Sequence, residues 1–291
     1  MYVKFMNSVM FRRFLFLFLF SSFSLSLWAT ENDSLNYRLT NRAVSLSLGA
    51  KREYDSYLSP LLYKGTGFSL MDERVSFLSK KLNNLSKYTE FDFSASVTDN
   101  PTNTASFLSM SLRGFSGVHY HLRPLPRMSL LLGGLVNLEL GGRYQNRNQN
   151  NPYSLLLNAN LWASVMCYYH IPLRTRTLTL RDHFSMPFVG VMFSPNYAQT
   201  YYEIFSEGHY DGTFPVTSFG SRFQWRNKLS LDFPIKICTF RFGFVLERSV
   251  TTVNDLETRS MDVSGTVGLV YNFVTFKGKK KIPSEFRNPV E

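Results

Sequence analysis

From Tyr88 onward, apolar and polar residues alternate with a period of two over long segments, and the i, i+3, i+4 recurrence of helices is missing. Leu108, Met110, Leu112, Val118, Tyr120 and Leu122 line one face of a segment whose other face carries Ser109, Ser111, Arg113, His119 and His121. The next two segments repeat the pattern. Met128, Leu130, Leu132, Val136, Leu138, Leu140 and Tyr144 oppose Asn137, Glu139 and Arg143, and then Leu155, Leu157, Leu161, Val165, Cys167 and Tyr169 oppose Asn158, Asn160, Ser164, Tyr168 and His170. Toward the C-terminus, Phe223, Trp225, Leu229, Leu231 and Phe233 oppose Arg222, Gln224, Arg226, Lys228 and Asp232. Phe240, Phe242, Phe244 and Leu246 oppose Arg241 and Glu247, and Val263, Val267, Leu269 and Tyr271 oppose Asp262, Ser264 and Thr266. Each segment exceeds the roughly 5 to 6 residues of an ordinary strand.

The connections alternate as well: short at Arg123–Arg127, Leu173–Thr177 and Phe233–Lys236, longer at Gln145–Pro152, Ser194–Val216 and Thr251–Glu257. Long apolar-out, polar-in strands with alternating loops predict an all-β fold, a transmembrane antiparallel up-and-down β-barrel. Lipid offers backbone groups no hydrogen-bond partner, so a sheet that spans it must close on itself. A secreted β-sandwich also alternates; strand length, loop alternation and aromatics at strand ends decide for the barrel. Ten strands are expected, over about 38–50, 57–71, 87–99, 105–122, 128–144, 154–171, 178–193, 217–233, 237–250 and 258–276. A further pair within 194–216 would make twelve. Two features resist: Gly65 and Gly67 interrupt the second strand, and Asp182 falls on the lipid side of the seventh.

Composition fits this picture. The 291 residues are 44% apolar, 16% aromatic and 18% charged, with 27 Phe and 16 Tyr, against a charged share of about 25% in soluble domains. A mean hydropathy of −0.13 argues against a bundle of spanning helices. The chain begins with Lys4, Arg12 and Arg13, an apolar run from Phe14 to Leu27, and Trp28-Ala29 before a polar stretch. This is the layout of a signal peptide over residues 1–29, and the run is shorter than the roughly 20 residues of a spanning helix. The barrel is expected over 30–276 and a basic tail over 277–291. Losing the leader lowers the net charge from +11 to +8 (11 − 3), and the tail holds five basic and two acidic residues, leaving the body near +5 (8 − 3). Scattered charge of that size makes no nucleic-acid footprint. Cys167 and Cys238 sit about three strands apart and are expected to be free; no metal-ligand spacing exists, and no metal or cofactor is expected.

Two stretches are more specific than periodicity: Tyr57-Leu58-Ser59-Pro60-Leu61-Leu62-Tyr63-Lys64-Gly65-Thr66-Gly67, and Gly190-Val191-Met192-Phe193-Ser194-Pro195-Asn196-Tyr197 leading into Tyr201-Tyr202-Glu203-Ile204-Phe205. With the leader and the ending Gly268-Leu269-Val270-Tyr271-Asn272-Phe273, they resemble DUF3316, a family of Bacteroidota cell-envelope proteins of unknown function. The resemblance covers most of the chain beyond the leader. It implies a barrel in the outer membrane of a Gram-negative bacterium, surrounded by outer-membrane lipid and inserted by the barrel-assembly machinery; it brings no catalytic residues. Many barrels end on an aromatic residue, whereas Phe276 is followed by fifteen more residues, so assembly must read an internal strand signal.

Pairing strands through the short turns places Arg113 beside Asn137 and Glu139, and Gln224 and Arg226 beside Glu247, with Arg222 on the same face and Asp262 approaching from the last strand. This lumen network is either a charged constriction that passes ions or small solutes or a self-satisfied polar core. The small bore favours the core. His183 lies across from Met166 and diagonal to Ser164, a sketch of a Ser/His hydrolase that points into the lumen. Glu207, His209 and Asp211 in the long loop outline an alternative, a barrel-mouth hydrolase of omptin-like protease or lipid-modifying type. Gly208 and Gly212 equally suit an exposed turn there. His119 and His121 read as solvated histidines. Tyr197, Tyr201, Tyr202, Phe205, Tyr210 and Phe214 in the same loop either meet an extracellular glycan or protein, or fold back as a lid or girdle. The expectation is a non-enzymatic barrel with a mostly occluded lumen.

Overall fold

The computed structural model describes residues 39–274 apart from 79–83, 150 and 236–237, together with Pro289. The predicted leader and nearly all of the basic tail lie outside the described residues. Eleven strands are present among them: β1 (Leu39–Asp55), β2 (Ser59–Phe77), β3 (Leu85–Asp99), β4 (Ser106–Leu125), β5 (Met128–Gln145), β6 (Tyr153–Pro172), β7 (Thr177–Met192), β8 (Val216–Ser218), β9 (Arg222–Ile235), β10 (Cys238–Val253) and β11 (Leu256–Val274). A one-turn helix, Tyr201–Phe205, lies between β7 and β8.

Consecutive strands pair antiparallel from β1 to β7 and from β9 to β11, β7 pairs with β9, and β1 pairs with β11, so the sheet closes. Ten strands of 14 to 20 residues form the ring. The three-residue β8 pairs with β7 alone and adds nothing to the closure, which excludes the twelve-strand count. The register follows the turns, with Arg113 opposite Glu139, Met166 opposite His183, Arg226 opposite Glu247 and Glu247 opposite Asp262.

The period-two pattern fixes which way each side chain points. Leu48, Phe91, Leu140 and Phe244 face outward and are more than half exposed, while Glu53, Tyr88, Glu90 and Trp162 point inward with at most 1% exposure. An apolar outer wall around a buried charged interior inverts the arrangement of a water-soluble protein. It is the arrangement of a sheet that spans a membrane. Asp182 does face outward, and Asn227 of β9 holds it with a 2.6 Å hydrogen bond. That partner satisfies one carboxylate oxygen on the lipid-facing wall.

One end of the barrel carries the start of β1, the end of β11 and short turns. The other carries the 193–221 connection, but its remaining loops are smaller than expected. β10 and β11 extend through Thr251–Glu257, leaving only Asn254-Asp255 between them, both with left-handed φ of 53° and 59°. Two such residues make the tight hairpin that matches strand twist. Gly65 and Gly67 do not break β2. A Cβ at Gly65 would sit 2.1 Å from the Val97 carbonyl oxygen of β3, so only glycine lets the strands approach there.

Gly65→Val therefore splays β2 from β3, and it lowers unfolding stability in detergent micelles by about 1 to 3 kcal/mol. An unchanged urea midpoint would contradict this packing.

Candidate functional site

The bore is filled in layers. In the middle, Glu73, Glu90, Asp92, Asp232 and Glu247 meet Arg113, Arg181, Arg226, Lys228 and Arg241 in one continuous network, five acids against five bases. Most contacts run across the bore, while Arg113–Asp92 and Arg241–Asp232 join directly opposed residues of adjacent strands. Arg226 donates to Glu90 at 2.6 Å and to Asp92 at 2.8 Å, and Arg113 to Asp92 at 2.7 Å and to Glu247 at 2.6 Å. Arg181 reaches Glu73 at 2.6 Å, Arg241 grips Asp232 through two nitrogens at 2.6 and 2.8 Å, and the Lys228 ammonium bonds both Glu73 and Glu90. The Tyr88 hydroxyl donates within the same group of carboxylates. Charges taken out of water cost several kcal/mol each unless paired and hydrogen-bonded; here every charge has an opposite partner, while Asp92 Oδ1 and the Nε atoms of Arg113, Arg181 and Arg226 have no hydrogen bond among the described residues.

Against this network on the β2–β6 side the filling is largely apolar, with buried Ser86, His119, His121 and Ser164 among it. Val75, Tyr88, Phe115, Leu131, Leu135, Trp162, Met166 and Tyr168 pack as one buried cluster inside the sheet. The expected all-polar lumen is thus corrected: β5 and β6 turn Leu131, Leu135 and Trp162 inward as well as their apolar outer rows. Toward the loops, Arg143 bridges Glu53 and Asp55, and the Tyr63 and Phe107 rings stack with centroids 3.6 Å apart. Between this layer and the central network lies a polar chamber of about 70 Å³, lined by Ser47, Ser94, Ser109, Lys51, Glu139 and Asp262. It has room for several waters.

The sequence-predicted lumen residues all face the bore. Arg113, Arg226 and Glu247 belong to the central network. Gln224 donates to Glu247 at 2.9 Å, and Arg222 joins Gln224 to Glu139, whose other contact is Asn158 at 2.8 Å. Asn137 bonds the Gly114 carbonyl, and Asp262 accepts from Ser264. Adjacent-strand reasoning missed Glu73, Glu90 and Arg181, which have partners on the far wall, and also Asp92, although Arg113 stands directly opposite it on β4. The signal was present as Glu90 and Asp92 two positions apart on β3, with Glu73 opposite Glu90 on β2.

His119 and His121 are not solvated; both are buried inside the bore. The Ser164 hydroxyl lies 2.8 Å from His119 Nε2 and 2.9 Å from His183 Nε2, so it donates to one ring and accepts from the other. The Ser/His pair sketched from sequence is therefore formed. Both Nδ1 atoms lack partners among the described residues. A triad needs a third group to orient its base, and here that group is missing and the serine is 2% exposed. Glu73, Glu90 and His183 place ligand atoms within 4.8 Å of one another, but Lys228, Arg181, Arg226 and Arg241 already pair with the two carboxylates there. Cys167 and Cys238 are free.

The 193–221 connection folds into a cap. Tyr57 of the β1–β2 turn donates to the Gln199 carbonyl at 3.1 Å, the Leu155 amide donates to the Tyr201 hydroxyl at 2.7 Å, and the Asn254 amide donates to the Ser194 and Gly212 carbonyls at 3.0 and 2.9 Å. Thr200 and Glu203 form a reciprocal capping box at the one-turn helix. Phe193, Tyr201 and Phe205 stack with centroids about 6 Å apart. Burial pushes the Tyr201 phenol up to about 12, so it stays neutral. Tyr197, Tyr202 and Phe205 are more than half exposed, and Tyr210 and Phe214 nearly so. Tyr201 thus packs within the folded-back loop, while Tyr197 and Tyr202 stand exposed on it. Glu207 and His209 approach to 3.6 Å on the exposed surface, and Asp211 accepts from Asn196 through its backbone carbonyl.

The model of the family described as a protein of unknown function, DUF3316, matches residues 13–280. The chain belongs to the DUF3316 family. No curated protein matches the sequence. Among solved structures, this DUF3316 chain is similar to the translocator domain of the autotransporter NalP from Neisseria meningitidis, with a TM-score of 0.38 and 11% identity over 92% of this chain and 98% of that one. It is also similar to the transport unit of the autotransporter AIDA-I from Escherichia coli (TM-score 0.42, 11% identity, 88% and 97% covered). A third likeness is to an outer-membrane channel from Pseudomonas putida F1 (TM-score 0.33, 11% identity, 84% and 98% covered). The barrel itself is established by the register that closes β6 onto β7.

Replacing Lys228 with Met leaves Glu73 and Glu90 facing each other with one cation fewer. The loss expected in urea unfolding is about 3 to 5 kcal/mol; a loss nearer the roughly 1 kcal/mol of a surface ion pair would contradict a sealed bore.

Proposed function

We propose that this protein is an outer-membrane barrel with a closed lumen, inserted by the barrel-assembly machinery, that acts through its surface cap and carries no enzymatic activity. The observation that carries this reading is the central network: ten charged side chains, balanced in sign, occupy the bore beside a buried apolar cluster. An ion entering from the loops would have to displace these paired side chains to pass. The outward apolar wall suits a bilayer, and the predicted leader suits export to the envelope.

The cap supplies the contact surface. Its stacked base is locked to three parts of the rim, and its exposed Tyr197, Tyr202 and Phe205 rings offer large, low-entropy contact area to an extracellular glycan or protein. The hydrolase alternative has less support. His209 and Glu207 are 65% and 45% exposed, and such open positions lack the water-excluding enclosure that strengthens acid–base chemistry.

In planar bilayers the purified protein shows no stepwise current, and neither does a variant in which residues 196–214 are replaced by a short linker, because the seal lies in the bore. Steady single-channel conductance of the intact protein would overturn the closed-lumen reading. Current in the loop variant alone would move the seal from the bore to the cap.

A further inference from the structure

The outer wall carries one feature that a membrane-spanning sheet does not explain by itself. On the half nearer the short turns, β1, β2 and β3 place Arg42, Asp72, Arg74 and Lys87 on the outward face. Arg42 stands directly opposite Arg74 in the register, an arrangement that repels unless an anion lies between them. Asp72 is that anion. Arg42 grips it through two nitrogens at 2.7 and 2.9 Å, and Arg74 bonds it at 2.7 Å. Lys87, opposite Ser76 on the next strand, adds a third cation. Three positive charges therefore stand against one carboxylate on this part of the wall, two of them bonded to it.

Donors remain after Asp72 is satisfied. Arg74 bonds Asp72 through Nη2 and its side chain is 42% exposed, so N–H groups of its fork remain at the surface. A guanidinium has five N–H groups in a planar fork that matches a phosphate as well as a carboxylate. Immediately toward the loops, Val44, Leu70 and Phe91 are exposed apolar side chains. Elsewhere round the ring the same half of the wall remains greasy, with Tyr120, Leu132, Tyr169 and Phe242 all exposed. The apolar belt is thus notched at β1–β3, where a headgroup band would have to rise to meet the charges.

We infer that this notch is a phospholipid site: Arg42, Arg74 and Lys87 bind the headgroup phosphate, and the acyl chains lie along Val44, Leu70 and Phe91. The site deepens the outer-membrane reading and rests on it. Lipid is the occupant because the site is on the lipid-facing wall and continues directly into apolar surface. Cations within a membrane are tolerated where headgroups or water reach them, and bound phosphate meets that requirement without moving the protein.

The test is native mass spectrometry of the full chain from detergent micelles titrated with phosphatidylglycerol. The wild type should retain one lipid per barrel. In R42Q/D72N/R74Q/K87Q, which removes the cations and the carboxylate together, lipid affinity should fall at least tenfold. Lys87→Gln alone, outside the ion pairs, should lose a few-fold, and inorganic phosphate at equal concentration should not displace the lipid. Equal retention by wild type and the fourfold variant would overturn the proposal, as would displacement by inorganic phosphate alone. Heat-modifiable gel mobility, run alongside, reports the barrel itself, so its loss would mark failure of the membrane reading and not of the lipid site.

Discussion

A bilayer takes hydrogen-bonding partners away from everything on the outside of a spanning sheet, and the structure of this DUF3316 protein follows from where its polar groups must then go. Backbone amides pair all the way round a ten-strand ring. Charged side chains, excluded from most of the outer wall, converge on a bore too narrow to hydrate them. Each must be met by an opposite charge within hydrogen-bond reach, which is why five acids and five bases from β2, β3, β4, β7, β9 and β10 form a single network. Its bonds link walls that are distant in the chain, so the network ties the cylinder across its diameter as the ladder ties it round its circumference.

The other features can be placed relative to that layer. The apolar cluster of Leu131, Leu135, Trp162 and Met166 packs beside it, and the hydroxyl-lined chamber and the Arg143 pair lie toward the loops. In the closed-lumen function proposed above, the molecule meets other molecules only through its outer surfaces. The cap presents aromatic rings to the outside, and the β1–β3 notch presents cations to the lipid. Where the polar rule is broken on the outer wall, the breach has a local partner: Asn227 for Asp182, and Asp72 for Arg42 and Arg74.

Much of this was legible in the residues. Alternation at β4, β5 and β6 set their faces, and turn length set the pairing of Arg113 with Glu139 and of Arg226 with Glu247. What was not legible has a common cause. Period two says that Glu73 or Leu131 points inward but says nothing about which far strand it meets. Cross-bore partners such as Arg181 with Glu73, 108 positions apart, depend on the shear of the closed ring. The histidines were misplaced for the same reason: His119 looks solvated until Ser164 and Tyr88 arrive from other strands. Asn254-Asp255 was a readable turn signal, overlooked because the polar residues around it resembled a loop.

The central claim is that charges across the bore hold one another, and a double-mutant cycle on Arg226 and Glu90 measures it most directly. Arg226→Leu and Glu90→Leu each strand buried charges and should destabilise the barrel strongly in urea, while the double variant should recover much of the loss, leaving a coupling energy of about 2 to 3 kcal/mol. Single losses that simply add, with no recovery in the double variant, would contradict the account.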